Sequence, residues 1–258
     1  MAEYIDVKDA IPMPGLRVVL TPGVPGPWSE AAKAILHVKK LKYVKARQEI
    51  LGPNVEMKAW SGQLTAPVVA WNDERPRSIW IDQLALFERL APEPRLIPKD
   101  FDERVLMYGL SNEIMGENGY IWHRRHIMVR DFTKPPHDEQ VRGIFAALGQ
   151  KYDYTPEAGI AASDYCATIC NKLAARLDSQ KAKGSRYFLG NSLTALDLYW
   201  ACAAATLVPL AEEDCAMGAL FRQVYTNTDE KLKAATAPIL LEHRDYIYRT
   251  YLELPVDL

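Results

Sequence analysis

Apolar positions in the first ninety residues fall in short blocks separated by polar breakers. Leu16-Arg17-Val18-Val19-Leu20 reads as a buried strand. Thr21-Pro22-Gly23-Val24-Pro25-Gly26-Pro27 follows as a loop dense in proline and glycine. Proline suits the first turn of a helix, so a helix is expected from Pro27 or Trp28, with Ala31, Ala34, Ile35, Val38 and Leu41 as its apolar stripe. Tyr43 to Ile50 predicts a second strand, and Pro53-Asn54 to Trp60 a short second helix. Pro67 stands at the mouth of the apolar run Val68 to Trp71, the expected third strand; proline cannot donate to a sheet ladder and belongs at a strand's first residue or edge. After the turn Asn72-Asp73-Glu74-Arg75-Pro76, Arg77 to Trp80 predicts a brief fourth strand and Asp82 to Leu90 a third helix. Residues 1–15, broken by Pro12, Pro14 and Gly15, are expected to form an extension.

The pattern changes at Ala91-Pro92-Glu93-Pro94-Arg95-Leu96-Ile97-Pro98, which reads as a linker. Beyond it the periodicity is helical. Phe101 to about Arg130 predicts one long helical stretch. Thr155-Pro156-Glu157 is a helix start with a hydroxyl cap, proline at the first position and an acid in the first turn. That helix is expected to reach about Gln180, with Ile160, Ile169, Leu173 and Leu177 on one face. Thr194-x-x-Asp197 opens an almost wholly apolar helix with a capping box, and further helices run from about Asp229, one restarting at Pro238. The order βαβ then ββα is that of a thioredoxin-like fold. The expected organisation is an α/β thioredoxin-like domain over residues 1–91 and an all-α domain over residues 99–258.

Composition narrows the function classes. Hydrophobic residues make up 48% and charged residues 25%, an ordinary globular balance. A net charge of −2 offers no basic footprint for nucleic acid and no polybasic membrane patch. The most apolar stretch, Leu196 to Leu210, is interrupted by Asp197 and falls short of the ~20 residues that span a bilayer. The start Met-Ala-Glu-Tyr-Ile-Asp has neither the basic nor the apolar region of a secretory signal, so a cytoplasmic protein is expected. Cys166, Cys170, Cys202 and Cys215 form no CxxC pair and read as buried small hydrophobes in a reducing compartment. No metal site is expected: His123 and His126 share a helical face, but no acid or third histidine stands beside them. Arg124, Arg125 and Arg130 read as a solvated face.

Gln63-Leu64-Thr65-Ala66-Pro67-Val68-Val69-Ala70-Trp71 followed by Asp82-Gln83-Leu84 resembles the glutathione-binding half of a glutathione transferase. Tyr187-Phe188-Leu189-Gly190 before the Thr194–Asp197 box resembles the start of the core helix in that family's helical domain. The resemblance runs from Leu16 to about Tyr251. It implies that Pro67 is cis and that Ala66 offers its backbone to the tripeptide. It also implies that Asp82 and Gln83 stand where an acid or amide followed by serine holds the γ-glutamyl end, and that Gln63 and Thr65 contact the same cosubstrate. Lys58 and Trp60 are further candidates, for its glycine carboxylate.

Such transferases lower the pKa of the glutathione thiol, because the thiolate is the nucleophile. The group responsible lies between the first strand and the first helix, near the positive end of the helix dipole. Here Gly26-Pro27-Trp28-Ser29 takes the place of Cys-Pro-x-x in cysteine-type members, so thiol-disulfide chemistry is not expected. The candidate catalytic hydroxyls are Ser29 and Thr21, with Trp28 as a pocket wall or indole donor. The family resemblance implies glutathione as cosubstrate, a small hydrophobic electrophile as second substrate, and a homodimer. The implied activity is conjugation, or a glutathione-dependent elimination or isomerisation. The alternative is a non-catalytic homologue that binds ligands or proteins. The second-substrate pocket is expected near Tyr108, Met115, Tyr120, Trp122 and His123.

Overall fold

A computed structural model describes residues 3–258, which form two compact units. The first comprises the chain up to Leu96 together with Ala211–Gly218 and Arg249–Leu258; the second comprises Ile97–Leu210 and Ala219–Tyr248.

The first unit is built on a four-stranded sheet in the order β1-β3-β2-β4. Its elements are β1 (Ile5–Asp6), α1 (Val7–Ala10), β2 (Leu16–Leu20), α2 (Pro27–Val38), β3 (Val44–Arg47), α3 (Val55–Ser61), β4 (Val68–Trp71) and α4 (Trp80–Leu90). Strands β1 and β2 run parallel to β3, and β4 runs antiparallel to β2 with Val19 opposite Val68. Every residue of β2 is buried, as befits a central strand, and Arg17 is its one charged member.

The expected extension is part of the sheet. Ile5–Asp6 pairs with Ala46–Arg47, and Val7 and Ala10 pack with Val19, Ala46, Met57 and Val68. The cause is Arg17, buried in β2, whose guanidinium donates to the carbonyls of Ile11, Met13 and Asn72. A buried cation without acceptors is costly, so these carbonyls tie the N-terminal segment down. The expected fourth strand over residues 77–80 shrinks to a single bridge, Val69 to Arg77, with bonds of 2.7 and 2.8 Å. Only that pair fits between Pro76 and the helix that begins at Trp80. Buried Lys39 closes the end of α4, pairing with Glu88 at 2.6 Å and donating to the Ala91 and Pro94 carbonyls at 2.7 and 3.0 Å.

Among the described residues the second unit contains no strand. Its helices are α5 (Phe101–Met115), α6 (Tyr120–Phe132), α7 (Glu139–Lys151), α8 (Pro156–Ala182), α9 (Ala195–Ala204), α10 (Ala219–Tyr225), α11 (Glu230–Ala235) and α12 (Pro238–Tyr251). The long stretch expected from Phe101 is two helices. The chain leaves the helix at Gly116 and re-enters one after Gly119, both extended in backbone, and the turn needs glycine there, since a Cβ would lie 2.6 Å from the Asn112 carbonyl at Gly116 and 2.8 Å from it at Gly119. Helix α7 has no counterpart in the sequence reading. Helix α8 starts as expected, with the Thr155 hydroxyl accepting the Ala158 N–H at 3.1 Å. Of the expected face Leu173 and Leu177 are buried, Ile169 is half-buried and Ile160 is 70% exposed; Ala162, Cys166 and Cys170 complete the buried side. Helix α9 is buried along its whole length and packs on α5. Its start is held by Asp197, which accepts from the Thr194 N–H and hydroxyl, each at 2.8 Å, and from the Phe188 N–H at 2.9 Å.

Candidate functional site

The sequence candidates of the first unit gather at one end of its sheet. The Ala66–Pro67 peptide is cis, and Pro67 leads directly into β4. Because β4 runs antiparallel to β2, Ala66 lies at the sheet end where Thr21 leaves β2. One side chain joins them. Gln48, just past β3, accepts the Thr21 hydroxyl and the Ala66 N–H on its Oε1, each at 2.8 Å. Its Nε2 donates to the Leu64 carbonyl at 3.2 Å, and its backbone N–H donates to Leu20 at 2.8 Å. The amide expected to face a peptide is therefore bonded to the protein's own side chain. Gln48 was missed by the sequence reading; the available signal was its position at the end of a strand parallel to β2, level with Thr21.

Helix α2 starts at the same loop. Its N-cap is Gly26, with no side chain to cap the first turn, and Pro27 occupies the first helical position. The first backbone bond runs from Glu30 N–H to Gly26 O at 2.9 Å. With no capping side chain, the first-turn amides at the positive end of α2 are left without a side-chain acceptor from the cap residue. Ser29 lies in this first turn and is 6% exposed. Trp28 is half-buried. Glu30 is buried behind them; burial pushes its carboxyl up, against the Lys33 ammonium paired with it at 2.8 Å. Gly26 itself has an ordinary φ of −64°, and a Cβ there would meet nothing closer than the Ser29 Oγ at 3.9 Å.

At α4 the two candidates face different ways. The cap is Ile79, and Asp82 lies inside the first turn of the helix. Its carboxylate is 41% exposed and 3.8 Å from the exposed Arg75, a weak surface pair. Gln83 is buried and turns inward, donating from Nε2 to the Pro67 carbonyl at 3.3 Å and the Arg77 carbonyl at 3.1 Å. Its amide braces the start of β4 against the Arg77 bridge. Gln63 is exposed and Thr65 half-buried. Lys58 is exposed on α3, whereas Trp60 packs against the Val7–Val68 cluster and lies 5.6 Å from the Arg17 guanidinium, facing that core.

The second unit shows other departures. Arg124 is 2% exposed and donates to the Thr206 carbonyl at 2.9 Å, and Arg130 bonds Ser163 and Asp229, each at 3.0 Å. The arginines expected on a solvated face are internal braces. Their spacing hid this, because one helical turn can point some members inward and others outward. His126 Nε2 bonds the Tyr152 carbonyl at 2.6 Å. His123 stacks on Tyr165 with ring centres 4.1 Å apart; burial and then the neighbouring His126 lower its pKa. Among the described residues no group of three or more His, Cys, Asp or Glu side chains is placed to hold a metal ion. All four cysteines are buried, and none is in a disulfide. Burial pushes the Cys170 thiol up to about 12 and the Cys166 thiol higher still. Among the described residues no helix is long and apolar enough to cross a membrane.

No protein-family model matches the sequence, and no curated protein matches it. Solved structures do match. A glutathione S-transferase from Xanthobacter autotrophicus is 13% identical with a TM-score of 0.59, covering 94% of this chain and 98% of that one. A glutathione S-transferase from Methylobacillus flagellatus with glutathione bound is 9% identical with a TM-score of 0.62, covering 91% and 95%. One from Methylobacterium radiotolerans, in complex with glutathione sulfonate, is 15% identical with a TM-score of 0.59, covering 91% of each chain. The chain therefore has the glutathione S-transferase fold, a thioredoxin-like domain followed by a helical domain.

Proposed function

We propose that this protein binds glutathione at the sheet end formed by Thr21, Ala66 and the start of α2, and uses it on a small hydrophobic electrophile. The reaction is conjugation, or a glutathione-dependent elimination or isomerisation. The observation that carries the reading is the convergence of the Thr21 hydroxyl and the Ala66 amide on one oxygen, beside a helix start without a capping side chain. Structures of the same fold that hold glutathione or its sulfonate support it.

Glutathione supplies the thiol. The chain's own residues orient it and stabilise its charged form. Ala66 offers backbone, Gln63 and Thr65 flank it, and Asp82 pairs the γ-glutamyl ammonium from its half-exposed position on α4. Gln83 holds the Pro67 loop in place. The thiolate lies against the first turn of α2, where Ser29, Thr21, Trp28 and the backbone amides are the donors, so its negative charge meets the helix's positive end. The protein acts in the cytoplasm as a homodimer.

The test is calorimetry and spectroscopy together. Wild type is expected to bind glutathione, and Asp82→Ala to lose roughly 1–3 kcal/mol of binding, the scale of a charge-assisted hydrogen bond. Bound glutathione is expected to show thiolate absorbance at a pH below the ~8.5 of a free thiol, and Ser29→Ala or Thr21→Val to raise that pH. Binding with an unshifted thiol favours the second reading, a non-catalytic ligand-binding homologue. The burial of Ser29 and the commitment of the Thr21 hydroxyl to Gln48 favour that alternative.

A further inference from the structure

We infer that Gln48 is a gate on this site: its side-chain amide occupies the Ala66 docking amide, and its displacement frees the Thr21 hydroxyl in the same movement. The inference rests on the glutathione reading above and adds a residue to it. A side-chain amide oxygen is chemically a stand-in for a peptide carbonyl, with two lone pairs. Here one lone pair takes the Ala66 N–H and the other the Thr21 hydroxyl, each at 2.8 Å. A peptide backbone that pairs with Ala66 must offer its own carbonyl to the same N–H, so it competes with Gln48 for that donor.

The surroundings suit a side chain that swings while its backbone stays. The Gln48 N–H is bonded to Leu20 at 2.8 Å, which continues the β2–β3 pairing and fixes the main chain. The side chain is only half-buried, and its remaining tether is the 3.2 Å bond to the carbonyl of exposed Leu64. Moving it outward replaces protein hydrogen bonds with hydrogen bonds to water, an exchange of modest net cost. The gate is therefore soft: it lowers apparent affinity by the fraction of molecules in which it stands open. It also makes the Thr21 hydroxyl available only when the docking amide is claimed. Gln48 is in this sense a positioning residue that acts through Ala66 and Thr21.

The experiment compares wild type with Gln48→Met, close in shape but without an amide, and Gln48→Glu, which keeps the acceptor and adds charge. Two quantities are read: hydrogen exchange of the Ala66 amide in the free protein, and the Kd for glutathione by calorimetry. Gln48→Met is expected to speed Ala66 exchange and to tighten glutathione about five- to tenfold, the equivalent of one net hydrogen bond. Gln48→Glu is expected to slow that exchange, because a carboxylate holds the same donors more strongly. A merely structural glutamine would shift both variants in the same direction. If wild type binds glutathione and Gln48→Met binds it no tighter, the gate is overturned. If Gln48→Met folds poorly, unchanged or faster Ala66 exchange in Gln48→Glu overturns it equally. If neither wild type nor Gln48→Met binds glutathione, the glutathione reading falls and the gate with it.

Discussion

Gly26 shows how much one residue decides about chemistry without touching the fold. Its backbone needs no glycine, and a Cβ there would find open room 3.9 Å from the nearest side-chain atom. The absence of a thiol at the head of α2 is thus not forced by packing. Gly26→Cys is expected to fold like wild type and to place a thiol at the positive end of a 12-residue helix, with its pKa lowered below ~8.5. Alkylation rate against pH on the intact protein checks this, since the native cysteines are buried; a Gly26→Cys thiol that titrates no lower than a free one contradicts it. The sequence carried the position of Gly26, Ser29 and Pro67 because each is marked by proline or glycine next to an apolar run. It did not carry the direction in which Gln83 turns, nor the reach of Gln48. An amide side chain bonds whatever tertiary neighbour it meets, and nothing periodic announces that neighbour.

At the scale of elements, α9 depends on one carboxylate. Asp197 satisfies the buried N–H groups of Phe188 and Thr194 as well as the Thr194 hydroxyl, and His243 Nε2 lies 3.3 Å from it. Asp197→Ala leaves those donors without an acceptor inside the protein. At roughly 1–3 kcal/mol for each of the three orphaned groups, the expected loss is at least about 3 kcal/mol, a large part of an ordinary domain's stability. Asp197→Asn keeps one acceptor oxygen and is expected to lose less. Urea unfolding of both variants measures the difference, and equal midpoints for Asp197→Ala and wild type contradict the assignment. This box, like the Thr155 cap, was legible because a cap is local: acceptor and amide are three residues apart. The break between α5 and α6 and the true face of α8 were less so. Helix α7 carries Val141, Ile144, Phe145 and Leu148 at helical spacing, a stripe the sequence reading passed over, and only Phe145 and Gly149 in it are buried. Helix α8 packs through alanine and cysteine beside Leu173 and Leu177, and a search for large apolar residues finds only the two leucines.

For the whole molecule, the strands lie before the change of pattern near residues 91–98 and helices alone follow it, yet the compact units do not divide the chain in two simple halves. Ala211–Gly218 and Arg249–Leu258 return to the first unit, where Asp257 meets Lys45 and its carbonyl meets Lys33. Contacts between such distant positions leave no periodic trace in a sequence. The N-terminal residues belong to the same class: they read as an extension, yet Ile5–Asp6 lies along the outer side of β3 and the carbonyls of Ile11 and Met13 receive Arg17. That placement bears on how the protein can be handled. A strand edge stripped of its neighbour is a template for pairing with other chains. Trimming residues 1–15 to obtain a tidier expression product would uncover β3, take two acceptors from a buried guanidinium and open the Ala46–Met57–Val68 cluster to water. The expected product is poorly soluble and polydisperse by light scattering, whereas a trimmed chain that stayed monodisperse and melted with wild type would show that β3 needs no cover. The segment that looks most dispensable on paper is the one that keeps this sheet from recruiting its neighbours in the tube.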